Sequence, residues 1–434
     1  MAIFGPPGTG KTQTLVGLAS EFITENMAVL SFTRSGAKEL VERVTVRPRF
    51  VGTIHALCFK HLNLTRRQVA DPHKFFSWIL GYQEHINLAL QFGNLSIKLH
   101  RTMEECISMF SEEVYTPPIH ILEFYWQSYM NWKKDYGLMD FDDMILRCIG
   151  KIDPFDVVIV DEAQDLSPIQ WELINSIVSS KLIVAGDDDQ SIYTWAGAQP
   201  LGMLELNARE IILAQSYRVP KEVYKLAQAT INNISLRKQK KYFPTPEDGY
   251  VQWNNDFQIS NLQADTSILC RDQYIQQRVE DEIIFYGLPY RLLSPYRFGW
   301  FENIYADLIR AIHTDDIEFL EKHKQWLSPR GKEMVEDGHM PDWRYAMNAS
   351  MEMMHYFDKV DLFIEPDITL STIHAQKGRE TDHVILYTEC SSRTENLQDK
   401  TATRDDEIRV WYVGLTRAKK GVTLVNGINA YIQT

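Results

Sequence analysis

The sequence predicts an α/β protein with parallel sheets covered by helices, and three observations carry that prediction. Short apolar strands, each followed by a helical pattern, occupy Met1 to Glu25, Ala28 to Val44 and Phe155 to Ser179. A second set of strand candidates follows at Thr266 to Leu269, Ile368 to Ile373, Val384 to Tyr387 and Val422 to Val425, with helices around Tyr274 to Tyr286 and Asp406 to Gly414. The length, 434 residues, suffices for two to four domains of ordinary size. Alternation of this kind builds a sheet whose ligand sits at the carboxyl ends of its strands.

Helix-rich stretches interrupt the alternation. Residues 60 to about 138 contain "HILEFYWQSYMNWKKDYG", a helical segment crowded with aromatic rings, which reads as a subdomain packing its own core rather than as a base-stacking surface. Residues 312 to 366 contain the Met-rich "MNASMEMMHYF", also read as core. No repeat or low-complexity segment is evident.

Composition narrows the classes. An apolar fraction of 44% with 24% charged residues is neither poor enough nor lopsided enough for disorder. The longest apolar runs, Val157 to Val160 and Ile211 to Ala214, are strand-length, and Met1 to Phe4 is too short and uncharged for a signal peptide, so no membrane role is expected. Five cysteines lie far apart without metal-ligand spacing and read as buried thiols of a cytoplasmic protein. A formal charge of -13 argues against a basic sheath for duplex DNA but allows a local basic groove. The densest basic run, Arg237 to Lys241, reads as a solvated face in preference to a phosphate tracker.

Chemistry enters at "GPPGTGKT", Gly5 to Thr12, which satisfies the G-x-x-x-x-G-K-[ST] pattern between a short strand and a helix. Its glycines let backbone N–H groups of Gly8, Thr9 and Gly10 wrap a phosphate at a helix start; Lys11 reaches the β- and γ-phosphates and the Thr12 hydroxyl ligates magnesium. "FDVVIVDEAQD" ends a buried strand with Asp161 and Glu162. One carboxylate on magnesium beside a second that orients water is a two-acid arrangement suited to phosphoryl transfer. The loop alone does not choose a family, since AAA+ ATPases carry it too. "VAGDDDQSIYTWAGA", residues 184 to 198, narrows the choice: a strand delivers Asp187 to Gln190 toward the phosphates, and Tyr193 and Trp195, able to stack on bases, follow at once.

At these residues the sequence resembles the UvrD/Rep/PcrA group of superfamily 1 helicases. The group's motifs appear in order as "GPPGTGKT", "LSFTRSGAKEL" (30–40), "GTIHALC" (52–58), "MDFDDMIL" (139–146), "VDEAQDLSPIQ" (160–170), "GDDDQSIYTWAGA" (186–198), "LAQSYRVP" (213–220), "STIHAQKGRE" (371–380) and "RVWYVGLTRAKK" (409–420). The resemblance implies two RecA-like parallel-sheet domains with helical insertions, spanning 1–200 and 201–434, that bind ATP between them and single-stranded DNA across them. It implies Gln190 on the γ-phosphate or attacking water, Arg218 and Arg417 as arginine fingers worth roughly 10³ to 10⁵ in rate, Tyr217 on the adenine and Glu380 on the ribose. For DNA it implies Phe32, Thr53, His55, Tyr193, Trp195 and His374. The expected activity is a DNA-dependent ATPase and helicase using ATP and Mg²⁺, monomeric, moving 3′ to 5′ on single strands and at single-strand/duplex junctions. Replication, repair and recombination, with replication or repair proteins as partners, are the settings it implies. A translocase that strips proteins from DNA without processive unwinding, a recruitment module with a vestigial ATPase and an RNA-directed motor are the alternatives.

Departures from the group's pattern add expectations. The chain has no room for an upstream adenine-reading glutamine, and Gln13 stands where relatives carry an arginine, so weak base selectivity is expected. Ala196 replaces a common arginine, and Arg379 and Thr381 replace apolar and aromatic residues around Glu380. The insertion in the second half spans only about 55 residues and the chain ends 14 residues after Lys420 with no nuclease domain, which suggests a pared-down motor with reduced autoinhibition.

Overall fold

The structure is a computed structural model whose described residues are 1–22, 26–44, 47–110, 116–293, 304–347, 351–391, 394, 401–426 and 430–432. The chain forms two compact units: Met1–Arg218 with Ile234–Pro244 and Asp399–Arg409, and Val219–Asn233 with Thr245–Gln398 and Val410–Thr434. Among the described residues each holds a six-stranded sheet whose strands all pair in parallel. The fold class is therefore the α/β one that the alternation predicted.

In the first unit the strands are β1 (Ala2–Phe4), β2 (Met27–Ser31), β3 (Phe50–Thr53), β4 (Phe155–Asp161), β5 (Val178–Gly186) and β6 (Glu210–Ile212), in spatial order β3-β2-β4-β5-β1-β6. Alternate side chains of a strand face opposite sides, and both sides are buried here. Ala2, Phe4, Ala28, Leu30, Val158 and Val160 pack into one cluster with Ile169, Leu173 and Ile174. Ile3, Met27, Val29, Val157 and Ile159 pack into another with Leu15, Val16, Ala19 and Leu40. Each Val, Leu, Ile, Phe or Met side chain among them contributes about 1.5–3 kcal/mol by leaving water, and this double burial is why "VVIV" reads as an unbroken apolar run.

The helical insertion packs as expected. Helices Pro72–Trp78, Gln83–Leu99 and Ile119–Asp135 enclose Phe75, Phe92, Leu122, Tyr125, Tyr129 and Trp132. The helices of Gly93 and Trp126 come so close that a Cβ at Gly93 would lie 2.2 Å from the Trp126 ring.

The second unit carries β7 (Tyr250–Asn254), β8 (Thr266–Cys270), β9 (Tyr290–Leu292), β10 (Ile368–Thr372), β11 (Thr381–Tyr387) and β12 (Ala418–Val425), in order β7-β12-β11-β8-β10-β9. Ile268, Leu370 and Ile385 share one core with Leu320, Val335, Trp343, Tyr356 and Phe357 from the 312–366 stretch. In "MNASMEMMHYF" the core reading holds for Met347, Tyr356 and Phe357, with Met354 packed against the same cluster. It fails for Met351, which is 81% exposed at the start of the helix Met351–Lys359; residues 348–350 and the Met353 side chain lie outside the described ones.

The solvated-face reading of Arg237 to Lys241 holds for the exposed Lys241 and is overturned for two other cations of the run. Arg237 and Lys240 of the densest basic run are buried, their side chains 3% and 1% exposed, and both pair with the acidic run Asp187–Asp189. Neither is a solvated face nor a phosphate tracker, because buried carboxylates require buried cations. Four cysteines are buried thiols, and Cys390 is half-buried. No helix among the described residues is long and apolar enough to cross a membrane.

Candidate functional site

Strand β1 delivers the chain directly into the glycine-rich loop, and the helix Lys11–Glu21 begins where the loop ends. Gly8 and Gly10 take φ of +70° and +79°, a left-handed conformation that favours glycine. At Gly5 the reason is space: a Cβ there would fall 2.2 Å from Lys11 Cγ, because the lysine lies back over the loop and Lys11 Nζ donates to the Gly5 carbonyl at 2.9 Å. Thr9 Oγ1 donates to Pro6 O at 2.8 Å, so the loop is held by its own contacts. Gly10 caps the helix without a side-chain bond, which leaves helix-start N–H groups for an anion. Gln13, two residues into the helix, is exposed.

Thr12 Oγ1 donates to Asp161 Oδ2 at 2.8 Å, joining the helix start to the end of β4. Burial, then the charge of Glu162, pushes Asp161 up to about 6 against the pull of Thr12 and Lys11. Such an under-compensated carboxylate beside a hydroxyl fits a magnesium ion, which takes one or two protein oxygens and completes its shell with phosphate and water. No cluster of three or more acidic, histidine or cysteine side chains that could hold a metal alone occurs among the described residues. Glu162 is itself in the left-handed region, at φ +57°, with its N–H donating to Asp161 Oδ1 at 2.9 Å.

Gln164, which sequence reading passed over, ties this carboxylate to the next strand. Its Nε2 donates to Glu162 Oε2 at 2.6 Å and its Oε1 accepts the Asp187 N–H at 2.9 Å. Gly186 is the residue that permits this, since a Cβ there would lie 2.5 Å from Gln164 Oε1. Gln190 follows, its Nε2 donating to Asp187 Oδ2 at 2.6 Å. Burial opposes the Asp187 charge, yet Lys240 and then Lys11 overcome it and hold the carboxyl below its usual range.

The segment Ser216–Arg218 lies on the loop. Ser216 Oγ donates to Pro7 O at 2.8 Å, and the Tyr217 N–H donates to Gly8 O at 2.8 Å. The Tyr217 ring is 77% exposed beside the phosphate loop, where a base has room to stack.

The proposed nucleic-acid residues of this unit gather in a second place. Phe32 and Tyr193 stack with centroids 6.0 Å apart, and Tyr193 meets Trp195 edge-on at 6.4 Å. Trp195 is 51% exposed, so it is not plain core. Phe32, His55, Phe141 and Tyr193 line one cavity of about 270 Å³ together with Lys98 and Asp142. His55 stands edge-on to Phe141 at 5.1 Å. Burial, reinforced by Lys98 and Arg34, pushes its half-buried imidazole down to about 4, so it is neutral near pH 7. Thr53 is engaged as a helix cap, its Oγ1 accepting the Ala56 N–H at 3.1 Å. The turn carrying Tyr193 and Trp195 is braced by residues that sequence reading did not single out. Thr194 Oγ1 donates to Asp406 at 2.7 Å, and Arg409 binds Asp406 at 2.9 Å and the Asp188 carbonyl at 3.1 Å.

In the second unit, "STIHA" repeats the local design of "GTIHA": Thr372 caps the short helix Ile373–Gln376 by accepting the Ala375 N–H at 3.3 Å, and His374 follows it. Glu380 is exposed. Arg417 is not a surface residue; it is 1% exposed, with Nε donating to Val413 O at 3.0 Å and Nη1 to Arg379 O at 3.4 Å.

Residues 1–210 match the family model described as the UvrD/REP helicase N-terminal domain, and residues 345–426 match the UvrD-like helicase C-terminal domain. The chain belongs to the UvrD/REP helicase family. Relatives of this UvrD/REP family chain include the ATP-dependent DNA helicase PcrA of Bacillus subtilis, 26% identical over 356 residues that cover 67% of this chain and 48% of the relative. DNA helicase II of Escherichia coli is 27% identical over 391 residues, 74% of this chain and 53% of that one. A probable DNA helicase II homolog of Mycoplasma capricolum is 26% identical over 294 residues, 57% and 41%. The chain thus spans about half the length of the curated relatives it matches.

Proposed function

We propose that this UvrD/REP family chain is an ATP- and magnesium-dependent motor that translocates on single-stranded DNA and separates duplex at single-strand junctions, 3′ to 5′, as a cytoplasmic monomer. The observation that carries the reading is one braced stretch of chain, Asp187 to Ala198. Gln190 at its start is tied to the acidic network behind the phosphate loop, and Trp195, five positions on, is exposed beside the stacked Phe32 and Tyr193. A change at the nucleotide end is thereby passed to the aromatic end through five residues.

In this reading the two compact units, Met1–Arg218 with Ile234–Pro244 and Asp399–Arg409, and Val219–Asn233 with Thr245–Gln398 and Val410–Thr434, are the two motor domains, near the expected 1–200 and 201–434. Gly8, Thr9, Gly10, Lys11, Thr12 and Gln13 hold the triphosphate. Thr12 and Asp161 hold magnesium, which when bound neutralises phosphate charge. Glu162 orients the attacking water, Gln190 senses the γ-phosphate or that water, and Arg218 and Arg417 stabilise transition-state charge. Tyr217 stacks on the base and Glu380 serves the ribose. Phe32, Thr53, His55, Tyr193, Trp195 and His374 hold the strand; stacking of about 1–3 kcal/mol per base grips without choosing a sequence.

The test is strand displacement on duplexes tailed at either end, with phosphate release measured under single-stranded DNA and under RNA. Unwinding of the 3′-tailed duplex with stimulation by DNA is expected. Release of a DNA-bound protein without strand displacement would favour a stripping translocase instead, and stimulation by RNA alone an RNA-directed motor.

A further inference from the structure

Asp187, Asp188 and Asp189 are consecutive, and each is no more than 1% exposed. Three like charges side by side in a dry site do not all ionise without cations beside them. Lys240 supplies one: its Nζ lies 2.8 Å from Asp187 Oδ1 and 3.0 Å from Asp189 Oδ2, and it also pairs with Asp188. Arg237 supplies the other, with Nε and Nη2 on the two oxygens of Asp189 at 2.9 and 2.6 Å. The Lys238 N–H adds a bond to Asp188 Oδ2 at 2.7 Å.

The two oxygens of Asp187 have separate tasks. Oδ1 faces Lys240, while Oδ2 accepts from Gln190 Nε2. A carboxylate only accepts, so this bond also decides which end of the amide faces it: the amino group turns to Asp187 and Oε1 turns away from it. Without the ammonium, Asp187 would lose the charge that orients the amide.

We propose that Lys240 is a positioning residue for ATP hydrolysis, acting through Asp187 to fix the orientation of the Gln190 amide. The inference rests on the ATPase reading above and gives a task to a basic run that lies outside the nine motifs quoted above.

The experiment is phosphate release against ATP concentration at saturating single-stranded DNA, on the full chain. Lys240→Met is combined with Asp188→Asn, which keeps the net charge of the cluster. Asp187→Ala is the second variant and leaves two carboxylates facing two cations, so no buried charge is left without a partner. Each is made with and without Gln190→Ala, and Lys11→Ala is the control. A group displaced by about 1 Å costs roughly 10²-fold in rate. Both variants should lose about that much kcat with KM for ATP within about twofold, and adding Gln190→Ala should cost nothing more, because the residues act as one unit. Parental kcat in either variant overturns the inference, and so does a further loss on adding Gln190→Ala equal to that in the parent. A defect confined to thermal stability, with kcat intact, makes Lys240 structural and also overturns it. If Lys11→Ala abolishes release while the cluster variants match the parent, only this inference fails; if release survives Lys11→Ala, the ATPase reading fails with it.

Discussion

Gly8→Ala should separate the phosphate loop from the segment that carries Tyr217 and Arg218. A Cβ at Gly8 would stand 2.4 Å from Arg218 Cβ, 3.0 Å from Ser216 Oγ and 3.1 Å from the Arg218 backbone N, and none of these is the far end of a flexible side chain. The residue is also at φ +70°, which costs an alanine about 1–2 kcal/mol. Moving Ser216–Arg218 away breaks the Tyr217 N–H bond to Gly8 O and the Ser216 Oγ bond to Pro7 O, both 2.8 Å. At about 0.5–1.5 kcal/mol for each bond, the total reaches about 2–5 kcal/mol. Part of it should appear as a lower unfolding midpoint in urea, and the displaced arginine should lower kcat for phosphate release by roughly 10²-fold. Binding of a fluorescent ATP analogue should weaken as Tyr217 leaves the loop. Unchanged kcat and nucleotide affinity in a folded Gly8→Ala protein would refute the placement of Tyr217 and Arg218 in the nucleotide site.

Three further outcomes follow from the same geometry. With an exposed Tyr217 stacking on the base and Gln13 in place of an arginine, ATP, GTP and ITP should support DNA-stimulated release at similar kcat/KM, measured side by side; a strong ATP preference would point to another adenine contact. Alanine at Phe32, Tyr193 or Trp195 should weaken single-stranded DNA binding by about 1–3 kcal/mol on every sequence tested, and a loss limited to one sequence would contradict a stacking platform. His55 has a folded pKa of about 4, below its ordinary 6.5, so the unfolded chain binds more protons between those values and stability must fall as pH drops from 6.5 to 4. His55→Asn should flatten that part of a plot of unfolding temperature against pH, and an unaltered slope would remove His55 as its source.

What the sequence revealed depended on whether an element's partners were near in the chain or buried on both faces. "FDVVIVD" was legible as a strand because both its faces are covered, and "HILEFYWQSYMNWKKD" as core because its rings recur at helical spacing. The edge strand β9 has three residues, too few for a period, and its place depends on the neighbour it joins. The phosphate loop, Asp161 and the aromatic turn were legible because their residue types and spacing are set by chemistry at one point. Lys240 and Arg237 were misread because their partners lie some fifty residues away in the sequence, where a charge pattern carries no information about burial. Gln164 and Arg409 were passed over for the same reason: each reaches the backbone of a segment distant in the sequence, Gln164 the Asp187 N–H and Arg409 the Asp188 carbonyl, and no residue type advertises that.

The claim at the centre is that nucleotide chemistry and strand grip are coupled through Asp187–Ala198. Its most direct test is phosphate release from ATP with and without single-stranded DNA, in the parent chain and in Trp195→Ala. Strong stimulation by DNA is expected in the parent, and a marked loss of that stimulation, with DNA-free release unchanged, in Trp195→Ala. Release from the parent that is indifferent to DNA would contradict it.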